Sequence, residues 1–285
     1  MANSTLLKYI CVKVNQYCNL QCIHCRAGSS PRQKDEIHYG LLIKFLDELI
    51  ANGLDHVNIT GGEPTLYSKI NDLISHLLLK NVYVTITTNG LTKFSRNNLQ
   101  AQFTDTSKLR VRFSIDGGKQ KHEIIRGENT FRRTIKNLKN ISTQNVWTAV
   151  NTVIYNNTID ELPQIFSEIK DIKIDEWALI SPVDSKNEIE AKGFTDFNVK
   201  DVLLNLQKAK TTIKNLGFDG NIHLIDFYSD ENAYLFVNEE GKIVLPAVNS
   251  SSDILISDIY SYKLENIYNH VEDITKTKNK TYFNW

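Results

Sequence analysis

Short apolar strands alternate with amphipathic helical stretches over the first 180 residues, and this alternation restricts the fold more than any other feature. Segments 8–15, 56–60, 82–88, 109–115, 146–154 and 176–180 read as strands. Helical patterns fall between them near 39–51, 70–79, 94–102, 130–141 and 159–169. Leu73, Ile74, Leu77 and Leu78 form the apolar stripe of the second of these. Repeated β/α units of this kind demand parallel strands joined by right-handed crossovers. The fold class is therefore α/β, with a sheet either doubly wound or curved into a partial barrel.

After residue 182 the pattern changes. A long helical stretch over 199–216 is followed by a strand at 222–227 and a hairpin, 233–237 and 242–245, around the turn 238–241. A strand at 254–259 and a short helix at 264–271 complete it. This reads as a small α+β cap rather than a seventh β/α unit, and divides the chain into 1–182 and 183–285. No linker rich in Pro, Gly or Ser separates the parts, so the cap is expected to pack directly on the sheet.

In a curved parallel sheet one side of each strand faces the helices and the other faces the lumen. Val111, Phe113 and Ile115 then face the helices, and Ser114 and Asp116 the lumen. By the same alternation Thr85, Thr87 and Asn89 point inward from the third strand, and Cys11, Lys13 and Asn15 from the first. Asn151 is the polar member of an apolar strand. These polar residues gather at the C-terminal strand ends, where α/β folds place their ligands.

Charge excludes some partners. Lys plus Arg and Asp plus Glu number 33 each, so no global field draws the chain to nucleic acid or an anionic membrane. No apolar run approaches the roughly 20 residues that span a bilayer, and the first residues lack a signal peptide's charged-then-apolar plan. A soluble, cytoplasmic protein is expected.

The four cysteines, Cys11, Cys18, Cys22 and Cys25, all lie in the first tenth of the chain. A secreted disulfide scaffold spreads its cysteines along the chain it staples, whereas a cluster like this reads as a metal or redox site. Cys18, Cys22 and Cys25 occupy the loop leaving the first strand and can wrap one compact soft-metal centre. A structural zinc wants four ligands, usually with its cysteines in two pairs. Here the fourth candidates are Cys11, mid-strand, or His24, whose neighbour Cys25 would have to point the same way. The loop favours an iron–sulfur site over zinc.

With these residues in place the sequence resembles the radical S-adenosylmethionine (radical SAM) superfamily. Its defining Cys-x3-Cys-x2-Cys loop matches Cys18, Cys22 and Cys25, and Gly61-Gly62-Glu63-Pro64 matches its GGEP element. Thr87-Thr88-Asn89-Gly90, Ser114-Ile115-Asp116-Gly117, His122–Gly127 and Asn151-Thr152-Val153-Ile154 follow in the expected order. The resemblance covers residues 10–180 and implies a partial (β/α)6 TIM-like barrel with a small C-terminal α+β cap. It further implies one [4Fe–4S] cluster on Cys18, Cys22 and Cys25, with S-adenosyl-L-methionine (SAM) on the open iron. Gly61 and Gly62 would let the backbone approach the methionyl group, and Glu63 would hold its ammonium. Ser114, Asn151 and Asn89 would meet ribose or carboxylate, Arg126 the carboxylate, and the backbone beside His24 the adenine. An external one-electron reductant of the flavodoxin or ferredoxin type is implied as partner.

Segments 238–247 and 257–268 resemble a degenerate SPASM or twitch domain in which Ala247 stands where relatives carry a cysteine, so no auxiliary cluster is expected. The resemblance leaves three substrate classes: a peptide, which the 122–127 block favours; a nucleotide, as in viperin-like enzymes and the molybdopterin-precursor cyclase; or a carbohydrate. Ala178 stands where viperin-like chains carry a phosphate-binding lysine, and the cyclase's C-terminal cysteines are missing. A non-catalytic metal-binding module is the reading outside enzymology. Cys11 and Lys13, on the lumen face, are candidates to touch substrate or return a hydrogen atom, against the commoner role of packing. Residues 119–139 hold seven basic side chains against Glu123 and Glu128. A solvated helix face is the ordinary meaning of such a run, and an anion or acidic-peptide site the alternative.

Overall fold

The structure is a computed structural model in which residues 7–155, 158–182, 199–227, 234–245 and 253–278 are described. Its first half is a regular series: β1 (Tyr9–Lys13), α1 (Tyr39–Ala51), β2 (His56–Thr60), α2 (Ile70–Leu79), β3 (Tyr83–Thr88), α3 (Leu99–Gln102) and β4 (Leu109–Ser114). Then come α4 (Lys119–Arg126), α5 (Phe131–Ser142), β5 (Trp147–Val153), α6 (Leu162–Ile169) and β6 (Glu176–Ile180). β1 to β6 pair in sequence order and in parallel. The helix-facing residues Ile10, Val12, Val57, Ile59, Val84, Ile86, Val111 and Phe113 are fully buried. Each contributes about 1.5–3 kcal/mol by leaving water. They meet apolar stripes such as Leu42, Phe45, Leu46 and Leu49 of α1, a helix opened by His38 Nδ1 accepting from Leu41 N–H.

The remaining elements are α7 (Val199–Asn215), β7 (Asn221–Ile225), β8 (Leu235–Val237), β9 (Lys242–Leu245), β10 (Ile254–Asp258) and α8 (Leu264–Lys278). Among the described residues they complete one ten-stranded sheet, ordered β10-β9-β8-β1-β2-β3-β4-β5-β6-β7. β8 runs parallel to β1, and the β8–β9 hairpin is antiparallel. Lys13 Nζ lies 3.0 Å from Glu239 in the hairpin turn, tying β1 to its new neighbour.

Two expectations need correction. The stretch 199–225, assigned above to the cap, forms a further crossover, because β7 pairs parallel with β6 and α7 buries Val202, Leu206, Ala209 and Ile213. The helix expected at 94–102 is split into a 3-10 turn, Phe94–Arg96, and α3, because Asn98 caps the latter by accepting from Ala101 N–H. α4 lies within the basic run 119–139 read above as a solvated helix face, and only His122 and Ile125 of it are buried. The cap position Ala247 lies outside the described residues. No described helix is long and apolar enough to cross a membrane.

Candidate functional site

The cysteine loop leaves β1 at the C-terminal edge of the sheet and is stitched to its surroundings by backbone. Gln16 N–H donates to Asp35 O, Cys18 N–H to Ser30 O, and Ile23 N–H to Ile125 O at the end of α4. The turn after β2 is fastened to the same loop, since Gly62 N–H donates to Asn15 O at 2.7 Å and Glu63 N–H to Tyr17 O at 2.8 Å. A Cβ on Gly61 would strike the Asn15 side chain, and one on Gly62 the carbonyls of Gln16 and Tyr17. The two glycines thus have a reason within the protein, close approach of two backbones.

Cys18 and Cys22 are buried and Cys25 is half-buried, all with free thiols. Burial pushes the Cys18 thiol up to about 12 and the Cys22 thiol up to about 11, although Arg126 draws Cys22 down. The charges on Cys22 and Cys25 are felt at Cys18, so the three sulfurs share one neighbourhood. Among the described residues no three His, Cys, Asp or Glu side chains converge closely enough for a single metal ion. Three thiols on the single short loop 18–25 are the soft donors that an iron–sulfur centre takes. The donor set therefore fits an iron–sulfur cluster.

Asp116, just past β4, is the charged hub beside the loop. Its Oδ2 accepts from His24 Nε2 at 2.7 Å and from Arg126 Nε at 2.6 Å, and its Oδ1 accepts from Val153 N–H at 2.9 Å. Burial works against ionisation here, but Arg126 and then His24 hold the carboxyl well below the usual carboxylate range. Asp116 backbone N–H donates to His122 Nδ1. One carboxylate thus joins the cysteine loop, α4 and β5. The His24 ring lies 6.4 Å from that of Tyr155, nearly parallel to it.

Glu63 forms a second hub. Its carboxylate accepts from Thr65 N–H and the Thr65 hydroxyl, from Thr88 Oγ1 at 2.7 Å and from Asn89 N–H at 2.8 Å. Burial raises it, and these four donors oppose the rise. Asn89 is equally committed: its Nδ2 donates to Asn19 Oδ1 at 2.9 Å and lies 4.0 Å from Cys18 Sγ, and its Oδ1 accepts from Leu91 N–H. Ser114 and Asn151 are register partners on β4 and β5, and the buried Asn151 Oδ1 has no hydrogen-bond partner among the described residues. Lys13 bonds Gln16 as well as facing Glu239. Cys11 lies deeper, beside Asn58, and burial pushes its thiol up to about 12.

The structure thus gathers Cys18, Cys22, Cys25, His24, Glu63, Asn89 and Arg126 at one end of the sheet, with Ser114 and Asn151 facing the same lumen. Asp116 had been placed in the lumen by strand alternation, but its role as hub was not anticipated. The signal available was a buried-strand carboxylate ten residues before an arginine. A sequence model of the Radical SAM superfamily matches residues 12–169, more than half of the chain.

The chain belongs to the radical SAM superfamily.

Members of this superfamily bind a [4Fe–4S] cluster and SAM. The radical SAM chain is similar to the mycofactocin maturase MftC of Mycolicibacterium smegmatis, 28% identical over 149 residues, covering 52% of this chain and 38% of MftC. It is also similar to the antilisterial bacteriocin subtilosin biosynthesis protein AlbA of Bacillus subtilis, 27% identical over 157 residues, 54% of this chain and 35% of AlbA. It spans well under half the length of these curated relatives. Among solved structures, Streptococcus suis SuiB bound to S-adenosylmethionine superposes with a TM-score of 0.71 at 16% identity, covering 93% of this chain and 66% of SuiB. Native anSMEcpe with bound AdoMet gives 0.68 at 17% identity, with 94% of this chain and 83% of that chain covered. These likenesses establish the fold: the parallel strands form a partial TIM barrel.

Proposed function

We propose that the chain is the core of a radical SAM enzyme that modifies a peptide. The observation that carries this reading is the three-thiol loop held at the C-terminal strand ends by two buried carboxylates, Asp116 through His24 and Glu63 through Asn89. Cys18, Cys22 and Cys25 would hold the cluster. When bound, cluster and SAM together supply a one-electron reductive cleavage that yields a 5′-deoxyadenosyl radical able to abstract hydrogen from a C–H bond. The chain's own work is to bind, orient and exclude water.

In this reading Ser114 and Asn151 meet the ribose or carboxylate, and the unpartnered Asn151 Oδ1 is a buried acceptor suited to such a hydroxyl. Arg126 faces the SAM carboxylate from its ion pair with Asp116, which fixes the guanidinium. The backbone of Gly61–Glu63 takes the methionyl ammonium, and the Glu63 carboxylate acts mainly by fixing that turn and Asn89. His24, locked by Asp116, presents its neighbouring backbone to adenine.

MftC is named as a maturase and AlbA as a bacteriocin biosynthesis protein, and a SuiB structure holds its precursor peptide SuiA. These support a peptide substrate here. Ala178, fully buried, offers no cation to a nucleotide phosphate. Residues 1–182, extended by the α7–β7 crossover to Ile225, are read as the radical SAM core, and the segment from 234 onward as an accessory region resembling a SPASM/twitch domain without its cysteines. Sensitive cluster thiolates and a need for an external one-electron reductant suit the cytoplasm.

The test is anaerobic reconstitution with iron and sulfide, followed by SAM and dithionite. Formation of 5′-deoxyadenosine, accelerated by a cognate precursor peptide, is the expected result. A cluster that forms while SAM stays intact under several reductants would leave the non-catalytic metal-binding module as the better reading. Acceleration by nucleotides instead of peptides would replace the substrate class alone.

A further inference from the structure

The basic run at 119–139 ends on a feature that substrate chemistry does not use. α5 and the facing turn Phe94–Arg96 enclose a surface groove of about 570 Å³ whose walls carry Arg96, Arg133, Lys136 and Lys139 and whose floor is the buried Leu91 and Asn137. Neither α5 nor segment 89–96 contains an acidic residue. Among the described residues none of Arg133, Lys136 and Lys139 forms an ion pair. Arg132 and Lys136 are four residues apart, and Arg133 and Lys136, like Lys136 and Lys139, are three apart, so like charges neighbour one another along the exposed face. That arrangement weakens a helix, whereas an ordinary solvated face alternates its signs. In a chain of zero net charge the concentration is local.

The inner face of α5 holds the turn that touches the cysteine loop. Asn137 Nδ2 donates to Gly90 O at 2.6 Å and Thr134 Oγ1 to Asn89 O at 2.9 Å. Gly90 takes a φ of +77°, and a Cβ there would strike the Phe113 ring, so this turn accepts little but glycine. On the other side of the same turn, Asn89 Nδ2 reaches Asn19 and lies 4.0 Å from Cys18 Sγ. One turn of backbone therefore separates the groove floor from Cys18.

We propose that this groove docks an acidic one-electron carrier protein of the flavodoxin class, an inference that rests on the radical SAM reading given above. A peptide substrate must enter the lumen at the strand ends. The groove instead lies on the outer, helical side of the sheet, where a carrier needs proximity to the cluster and no access to the lumen. In the transfer, the carrier's flavin hydroquinone is oxidised to the semiquinone and the cluster on Cys18, Cys22 and Cys25 gains that one electron. Complementary charge steers such encounters and makes them fall off with ionic strength.

The experiment uses the anaerobically reconstituted full chain and a purified bacterial flavodoxin. Binding of oxidised flavodoxin is read from flavin fluorescence at low and raised salt, and cluster reduction by flavodoxin hydroquinone from stopped-flow absorbance with dithionite as the small-reductant control. Arg133→Glu/Lys136→Glu/Lys139→Glu is expected to weaken binding at least tenfold, flatten its salt dependence and slow flavodoxin-driven reduction, with dithionite-driven reduction unchanged. The corresponding triple Gln variant, which keeps the helix and removes only charge, should lie between. Unchanged flavodoxin binding in both variants overturns the proposal, as does tighter binding of a penta-glutamate peptide than of flavodoxin to the unaltered chain. Failure of SAM cleavage with dithionite would refute the catalytic reading instead, while the fluorescence titration still decides the docking.

Discussion

Arg126 Nε stands 2.6 Å from Asp116 Oδ2, and the same oxygen accepts from His24 inside the cysteine loop. The pair is buried, with the Asp116 side chain 1% exposed, so neither charge has water to fall back on. Desolvation makes such a pair weak evidence for stability as a whole, but removing one partner strands the other. The relationship also places a positive charge against Cys22, whose thiol Arg126 draws down.

Asp116→Asn should therefore lower unfolding stability by about 3–5 kcal/mol, the cost of leaving a buried charge without its partner. Urea denaturation measures it. Arg126→Ala should weaken SAM binding as well, and an Arg126→Ala variant with full SAM affinity would remove this residue from the site.

Replacing Glu63 with Ala strips four donors of their acceptor, among them Asn89 N–H. Buried donors left unmatched cost about 1–3 kcal/mol each. The expected outcome is a loss of both stability and SAM affinity, read by urea denaturation and equilibrium dialysis. A variant that loses affinity at full stability would show that the carboxylate touches SAM directly.

Iron analysis tests the cluster assignment. No cysteine follows Cys25 in the sequence, so reconstitution should give about four irons and four sulfides per chain, as one cluster requires. Replacing Cys18, Cys22 and Cys25 together should abolish both, and Cys11→Ala should leave them unchanged. Near eight irons, or loss of iron with Cys11→Ala, would contradict the assignment.

Two buried imidazoles set an acid limb. Burial, and then Arg110 and Arg112, lower His56 to about 3; burial, and then Arg126, lower His122 to about 3. Free imidazole titrates near 6.5, so between the two values the unfolded chain binds more protons. Stability is therefore complete above about pH 6.5 and falls towards pH 3, by about 1.4 kcal/mol per pH unit for each ring. Asp116 stays ionised throughout this window and does not mask the effect. Urea midpoints at pH 7.5, 6.0 and 5.0 measure the slope, which His56→Gln should reduce.

What could be read from the sequence was local. Strand bounds such as His56–Thr60 follow from a β-branched run and those of Glu176–Ile180 from a short apolar one, and the cysteine spacing marks its own loop. The bounds of α4 were not legible because a two-turn helix with one buried face two residues wide has almost no apolar period. The 94–102 stretch kept a helical rhythm through Asn97 and Asn98, and only the capping bond of Asn98 reveals the break. Partners distant in sequence were not legible at all: His24 and Asp116 meet across 92 positions, and nothing in the neighbourhood of either names the other.

The pairing of β1 with β8 has a consequence for how the chain reaches this state. Ile10 finds Leu235 more than two hundred residues later, so β1 remains a half-paired edge while the intervening strands emerge from the ribosome. Contacts of such separation form late and slow the search for the native topology. The cysteine loop hangs from that unfinished strand, with Lys13 awaiting Glu239. β1 therefore gains its second neighbour only once the hairpin is made, and a chain truncated before residue 235 would leave β1 as an exposed, sticky edge strand.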